Sequence, residues 1–179
     1  MSEMMKAELM ERLYRLDEDA DLMFDDDRKF EMIVVGGSAL ILLNSISRAT
    51  HDIDAINVPR DLIDLLDKYD INTQAETYIN NFPYNFETRL VPIEMETRKI
   101  RFYTASLEDI VIAKLCSVRD TDRSDLVEET ILRTLNWELL DYLATDEDEL
   151  KASILNDWRY ADFKANYDDY VRRFSPCVN

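Results

Sequence analysis

The chain has 179 residues, 46% of them hydrophobic and 10% aromatic, enough for one domain, or one domain with a small helical appendage, to bury a core without disulfides. A formal charge of -17, from 38 acidic and 21 basic residues, disfavours an extended DNA groove and favours cationic ligands or basic partners; Arg98, Lys99 and Arg101 are the nearest approach to a basic patch. The first residues hold no apolar leader, no run approaches the roughly 18 apolar residues of a membrane span, and Cys116 and Cys177 stand apart from other Cys or His, so the expectation is a soluble, cytoplasmic protein with two reduced thiols.

Met4 to Met23 repeats apolar residues at helical spacing (Met5, Leu9, Leu13, Leu16), predicting an amphipathic helix that stops at Asp25-Asp26-Asp27. Phe30 to Val35 is a short apolar run with β-branched residues at its end and predicts a buried strand. It is bounded by Gly36 and Gly37, the chain's two glycines, so the backbone there does something a side chain would obstruct. Ser38 to Ile46, apolar on every side, predicts a short enclosed helix. Asp52 to Val58 returns to a strand pattern that stops at Pro59, and Asp61 to Tyr69 reads as a second amphipathic helix. Phe86 to Met95 and Lys99 to Tyr103 read as two strands joined by a polar turn at Thr97 and Arg98. The first is at an edge or bent, because Pro92 lacks a ladder donor. From Ser106 the pattern is helical, and Ser106 with Asp109 and Thr145 with Asp148 both resemble capping boxes. Trp137, Trp158, Tyr160, Tyr167 and Tyr170 read as core or partner contacts. Strands early and helices late predict an α/β (α+β) domain over 1–126, N-terminal helix included, with a helical tail over 127–179 packed on it.

The order strand, Gly36-Gly37-Ser38, helix offers backbone N–H groups at a helix start with no Cβ in the way, plus the Ser38 hydroxyl, and phosphate is the natural guest. The plainer alternative is a turn that lets strand and helix pack closely. Asp52 and Asp54 alternate along a strand, so their carboxylates share a face while Ile53 points to the core. Like charges that close call for a cation, and hard oxygens suit Mg²⁺; the alternative is a solvated strand end. One short helix separates the two signals, the arrangement that metal-assisted phosphoryl or nucleotidyl transfer needs. Further on, Lys114 falls within the apolar stripe of Leu107, Ile110, Val111, Leu115 and Val118, where a lysine must snorkel out or meet an anion. His51 faces away from Asp52 and reads as structural.

These residues also resemble a known superfamily. Val35-Gly36-Gly37-Ser38 and Thr50-His51-Asp52-Ile53-Asp54 look like the first two motifs of the DNA polymerase β-like nucleotidyltransferases, in their minimal bacterial branch. Asn85 to Pro92, Leu107-Glu108-Asp109-Ile110 through Lys114-Leu115, and Asp122-Arg123-Ser124-Asp125-Leu126 are similar to an uncharacterised nucleotidyltransferase domain family related to the AbiEii toxins. The likeness spans roughly Phe30 to Leu126 and implies a nucleotidyltransferase-fold mixed sheet flanked by helices. It further implies an NTP substrate, ATP among the candidates, with Lys114 on a triphosphate oxygen and catalysis involving Asp122 or Asp125. The chain departs from that family at Thr121, where Lys is usual, and in the short stretch from Lys114 to Asp122; either aspartate is alternatively a helix N-cap. The superfamily also implies a third metal-binding or base carboxylate. Glu87, sharing a strand face with Arg89, is the first choice and Glu94 with Glu96 the competing pair.

Two functional readings follow. In the first, an enzyme moves a nucleoside monophosphate from an NTP to an acceptor hydroxyl, phosphate or protein side chain with Mg²⁺ as cofactor. Asp52, Asp54 and Glu87 hold the metal, Gly36, Gly37, Ser38 and Lys114 hold the nucleotide, and Lys114, Asp122 and Asp125 join the acid pair in catalysis. The acidic composition suits a small cationic molecule or a protein as acceptor better than RNA, although related toxins act on tRNA. The resemblance implies a toxin-antitoxin or phage-defence role, and the partner is an antitoxin or, from the acidic charge, a basic protein. In the second reading, an inactive module keeps the fold and binds nucleotide or a basic protein through its acidic helical tail. A completed third carboxylate separates the two.

Overall fold

A computed structural model describes residues 4–145 and 157–176, and the helical spacing at the start of the chain takes form there as α1, Lys6–Met23. Leu9, Leu13, Leu16 and Ala20 are wholly enclosed, each large side chain contributing about 2 kcal/mol by burial. Met5 is half exposed, a correction to the expected stripe, because the helix begins after it. Met4 is buried in its place and exchanges backbone hydrogen bonds with Thr50.

The chain divides into two units, Met1–Thr77 with Leu90–Ala105 and Tyr78–Arg89 with Ser106–Asn179. The first holds a mixed, open five-stranded sheet in the order β3-β2-β1-β5-β4. Central β1, Phe30–Val35, runs antiparallel to β2, Ile53–Ile56, and parallel to β5, Ile100–Thr104. Short β3, Ile71–Asn72, lies parallel to β2, and β4, Val91–Pro92, forms the other edge antiparallel to β5. The edge position is the one expected of Pro92.

Between β1 and β2 runs α2, Gly36–Leu42, which starts two residues earlier and ends four residues sooner than the apolar run implies. Its end is set by backbone geometry. Asn44 adopts φ 56°, Asn44 N–H reaches Ile41 O and Ser45 N–H reaches Leu40 O, a Schellman closure with asparagine in the left-handed position. The Asp61–Tyr69 segment is one helical stretch in outline, with α3, Ile63–Leu66, flanked by tighter turns at Arg60–Leu62 and Asp67–Tyr69. Leu62, Leu66 and Tyr69 are its buried positions.

Asp17 ties α1 to the start of β5. Its buried carboxylate accepts the backbone N–H groups of Arg98, Lys99 and Ile100, each at 2.7 Å. Lys99 is buried too and its ammonium donates to Asp26 O, so the basic triplet seen in the sequence does not form a patch. Only Arg98 and Arg101 stay exposed there.

The expected strand over Phe86 to Met95 is corrected. Phe86–Arg89 is a 3₁₀ turn, held by Phe86 N–H on Pro83 O and Thr88 N–H and hydroxyl on Asn85 O. The buried rings of Phe82 and Phe86 stack at 4.9 Å, so the helical spacing of 82 and 86 prevails over the alternation that begins at 86.

The second unit is helical. It comprises α4, Leu107–Leu115; α5, Asp120–Leu126; α6, Glu129–Thr134; α7, Trp137–Thr145; and α8, Asp157–Phe174. Ser106 caps α4 as its sequence implies, its hydroxyl accepting Asp109 N–H at 3.1 Å. Glu108 receives Asn136 N–H at the start of α7, and Trp137 stacks on Tyr170 at 5.5 Å. The buried Tyr167 and Tyr170 belong to the core, Tyr160 packs near Phe163, and the proposed Thr145–Asp148 box and the Trp158 side chain lie outside the described residues. Among the described residues no helix is long and apolar enough to cross a membrane.

Candidate functional site

The antiparallel pairing of β1 with β2 sets Val35 opposite Asp54. Since Gly36 follows Val35 directly, the glycine turn and the acidic strand meet side by side. Gly36 adopts φ +66°, and a Cβ at that position would stand 2.7 Å from Asp54 Oδ2. Glycine is therefore required twice over, by the left-handed backbone and by the nearness of the carboxylate. A Cβ on Gly37 would stand 2.7 Å from Arg48 Nη2, so an arginine guanidinium lies over the second glycine.

Ser38 is buried and its hydroxyl is engaged within the fold. It donates to Val35 O at 2.9 Å and accepts Asp54 N–H at 3.2 Å, clamping β1, α2 and β2 together. A hydroxyl has a single proton to donate. With that proton on Val35, the turn's donors toward an anion are its backbone N–H groups.

Asp52 precedes β2 by one residue and Asp54 lies within it, on either side of the wholly buried Ile53. Both acids are half-buried. Asp54 Oδ1 accepts from Asn72 Nδ2 at 3.0 Å across the β2–β3 pair. Thr50 donates its hydroxyl to Asp52 O at 3.2 Å, which firms the approach to the strand. His51 is exposed. Two carboxylates at alternate positions would offer hard oxygens to a divalent cation, and Asp54 Oδ2 stands close against Gly36, 2.7 Å from the position its Cβ would take.

Glu87 lies on the 3₁₀ turn rather than on a strand, exposed, and Arg89 does not share a strand face with it. Arg89 instead makes a two-pronged pair with the buried Asp109, at 2.8 and 3.0 Å. Among the described residues no three of His, Cys, Asp and Glu gather as a group able to hold a metal ion.

In the second unit, Lys114 meets its anions. Its buried ammonium donates to Asp122 Oδ1 and to Asp125 Oδ2, the latter at 2.9 Å. Asp122 also accepts from Ser117 Oγ at 2.6 Å and Arg119 Nε at 2.8 Å. Burial alone would raise the Asp122 pKa, but the Lys114 charge and the bonds from Lys114, Ser117 and Arg119 outweigh it and hold the carboxyl below its ordinary range. Neither aspartate caps a helix, because α5 begins at Asp120 and both lie inside it. Lys114 also lines a cavity of about 610 Å³ with Ser117, Asp120, Arg123, Asn166 and Tyr170, within the size range of small-molecule sites. Cys116 is a free thiol that burial pushes up to about 12, and Cys177 lies outside the described residues.

Arg48 and Asn72 were not singled out by the sequence pattern. Arg48 stands in a loop with no periodicity, and Asn72 follows a turn where asparagine is ordinary. Both became visible only through what they approach.

In comparisons with known proteins, a family model described as a nucleotidyltransferase of unknown function (DUF6036) matches residues 11–175. No curated protein and no solved structure matches the chain.

Proposed function

We propose, from the premise that the chain belongs to this family of nucleotidyltransferases, that it transfers a nucleoside monophosphate from an NTP with the help of Mg²⁺. The observation that carries the reading is the contact between the turn and the acid: Gly36 at φ +66° with Asp54 Oδ2 where its Cβ would be. A phosphate on the turn's N–H groups and a cation on Asp52 and Asp54 would then be neighbours, as in-line displacement at phosphorus requires. Mg²⁺ held there would lower the charge of the phosphate oxygens and orient them. Asp52 and Asp54 are its ligands in this reading, the N–H groups of Gly37 and Ser38 hold phosphate, and Arg48 over Gly37 adds positive charge.

The family resemblance assigns Lys114, Asp122 and Asp125 to nucleotide binding and catalysis as well. What supports that role within their own unit is a buried ammonium, already oriented by two carboxylates, at the wall of a cavity. The acceptor is drawn from charge: at -17, a cationic small molecule or a basic protein surface is favoured over RNA. A toxin-antitoxin or phage-defence setting, with an antitoxin as partner, follows from the same resemblance, and a basic protein partner from the acidic charge.

One observation favours a second reading. The side chain that faces Asp54 from β3 is the neutral amide of Asn72, so a module that binds metal and nucleotide without turnover is the alternative.

Thermal unfolding with each NTP and Mg²⁺ tests the binding step. Ligand at about 100 times its Kd adds about 2.7 kcal/mol, or roughly 5–10 °C for a chain of this size. The shift should vanish in Asp52→Ala and Asp54→Ala. An equal shift in those variants, or none in the wild type, sinks the metal–nucleotide reading. Incubation with α-labelled NTPs and fractionated lysate then distinguishes an enzyme, which labels an acceptor, from a binder, which labels nothing; labelled tRNA would overturn the choice of a cationic acceptor.

A further inference from the structure

Asn72 is the register partner of Asp54 in the parallel β2–β3 pair, and both ends of its amide are engaged. The oxygen accepts Gln74 N–H at 3.0 Å, and the nitrogen donates to Asp54 Oδ1 at 3.0 Å. An amide has one accepting end and one donating end. The backbone bond on the oxygen therefore decides which end meets the carboxylate, and an asparagine fixed two residues into its own turn is rigid before any ligand arrives.

The effect on Asp54 is directional. Its Oδ1 is drawn toward β3 by Asn72, while Oδ2 lies beside Gly36, 2.7 Å from the position a Cβ would take. A terminal carboxylate torsion is otherwise broad and roughly two-fold. The bond from Asn72 helps fix the plane of the carboxylate, with one oxygen on the amide and the other beside the glycine turn. It does so as a neutral amide, without adding negative charge of its own beside Asp54. An aspartate at the same position would bring carboxylate oxygens together at that distance, which is stable only with a proton or a cation between them.

We propose that Asn72 is the positioning residue of the acid pair: by holding Asp54 Oδ1 it keeps the other carboxylate oxygen against the glycine turn, where a divalent cation would bind. This inference rests on the reading of Asp52 and Asp54 as cation ligands.

The test measures Mn²⁺ binding to the full chain by calorimetry, well below the melting temperature, beside melting curves without metal. Wild type should bind Mn²⁺. Asn72→Ala should bind it about tenfold more weakly, the usual effect of removing the partner that orients a metal-ligating carboxylate. Asn72→Asp keeps the size of the side chain and an oxygen for Gln74 N–H but removes the donor. It should melt below wild type without metal and gain more than wild type on Mn²⁺ saturation. A merely structural Asn72 would give two variants of lowered stability whose Mn²⁺ affinity and Mn²⁺-induced shift equal the wild type's. Asn72→Ala within twofold of wild type while Asp54→Ala loses binding overturns this inference alone. Equal binding by wild type and Asp54→Ala, or no binding by either, overturns the cation pair and Asn72's role with it.

Discussion

Replacing Gly36 by alanine probes the geometry on which the proposed site depends. At φ +66° an L side chain costs about 1–2 kcal/mol. The new Cβ would also stand 2.7 Å from Asp54 Oδ2, and the carboxylate cannot simply swing aside because Asn72 holds its other oxygen at 3.0 Å. Displacing it weakens a hydrogen bond to a charged group, a further loss of about 1.5 kcal/mol. Gly36→Ala should therefore destabilise by about 3 kcal/mol. Gly37→Ala is the control. Its Cβ would stand 2.7 Å from Arg48 Nη2, with Cζ and Nη1 of the same exposed guanidinium at 3.4 and 3.5 Å, and its backbone is not left-handed. A helical Gly→Ala change gains up to about 1 kcal/mol, so the control should lie within about 1 kcal/mol of wild type. Asp54→Ala then removes the clash but not the backbone strain, because the nearest remaining Asp54 atom, its Cβ, is 3.6 Å away in ordinary contact. In that background Gly36→Ala should cost about 1–2 kcal/mol, an interaction energy near 1.5 kcal/mol. Urea unfolding of the single and double variants measures it. The same cost in both backgrounds, or a Gly37→Ala loss as large as that of Gly36→Ala, would refute the reasoning.

Lys114→Met should cost about 3–5 kcal/mol, because Asp122 and Asp125 stay buried without their ammonium. The pH dependence should also weaken: the depressed pKa of Asp122 in the wild type gives stability that is present above about pH 4 and lost as pH falls through the lower folded value. In Lys114→Met the carboxyl loses the Lys114 charge and bond while Ser117 and Arg119 still hold it, so its folded pKa rises and the loss of stability on acidification should shrink; parallel urea profiles for the two proteins contradict the assigned pairing. Cys116, pushed up to about 12 by burial against a smaller opposing effect of Arg159, is roughly one part in ten thousand thiolate at pH 8. In a Cys177→Ser protein, Ellman's reagent should react with the part-exposed Cys116 far more slowly in the folded chain than in urea, and equal rates would contradict the raised pKa.

Much of the fold was legible in local pattern. The buried strand at Phe30–Val35, the cap at Ser106 and the edge position of Pro92 all follow from residue type and spacing. Where the reading failed, a local hydrogen bond or a helical contact displaced the expected period, as in the turn at Phe86–Arg89 and the early close of α2 at Asn44. Of the candidate site, the glycine turn and the acid pair were legible through their spacing one short helix apart, each alone having a plainer alternative. Their contact was an expectation from sequence distance, and β1–β2 register turns it into a position for Asp54 beside Gly36.

The sequence by itself determined the residue types that can do chemistry here: a backbone free of Cβ at Gly36 and Gly37, hard oxygens at Asp52 and Asp54, and a lysine on an apolar face at Lys114. Only the tertiary structure decided their partners. It placed the Ser38 proton on Val35 O, the Asn72 amide on Asp54, the Arg48 guanidinium over Gly37, and Asp122 and Asp125 on Lys114. The physical reason is that periodicity encodes which face of an element is buried, whereas a hydrogen bond of 3 Å between residues far apart in the chain depends on strand register and helix packing that no local pattern carries.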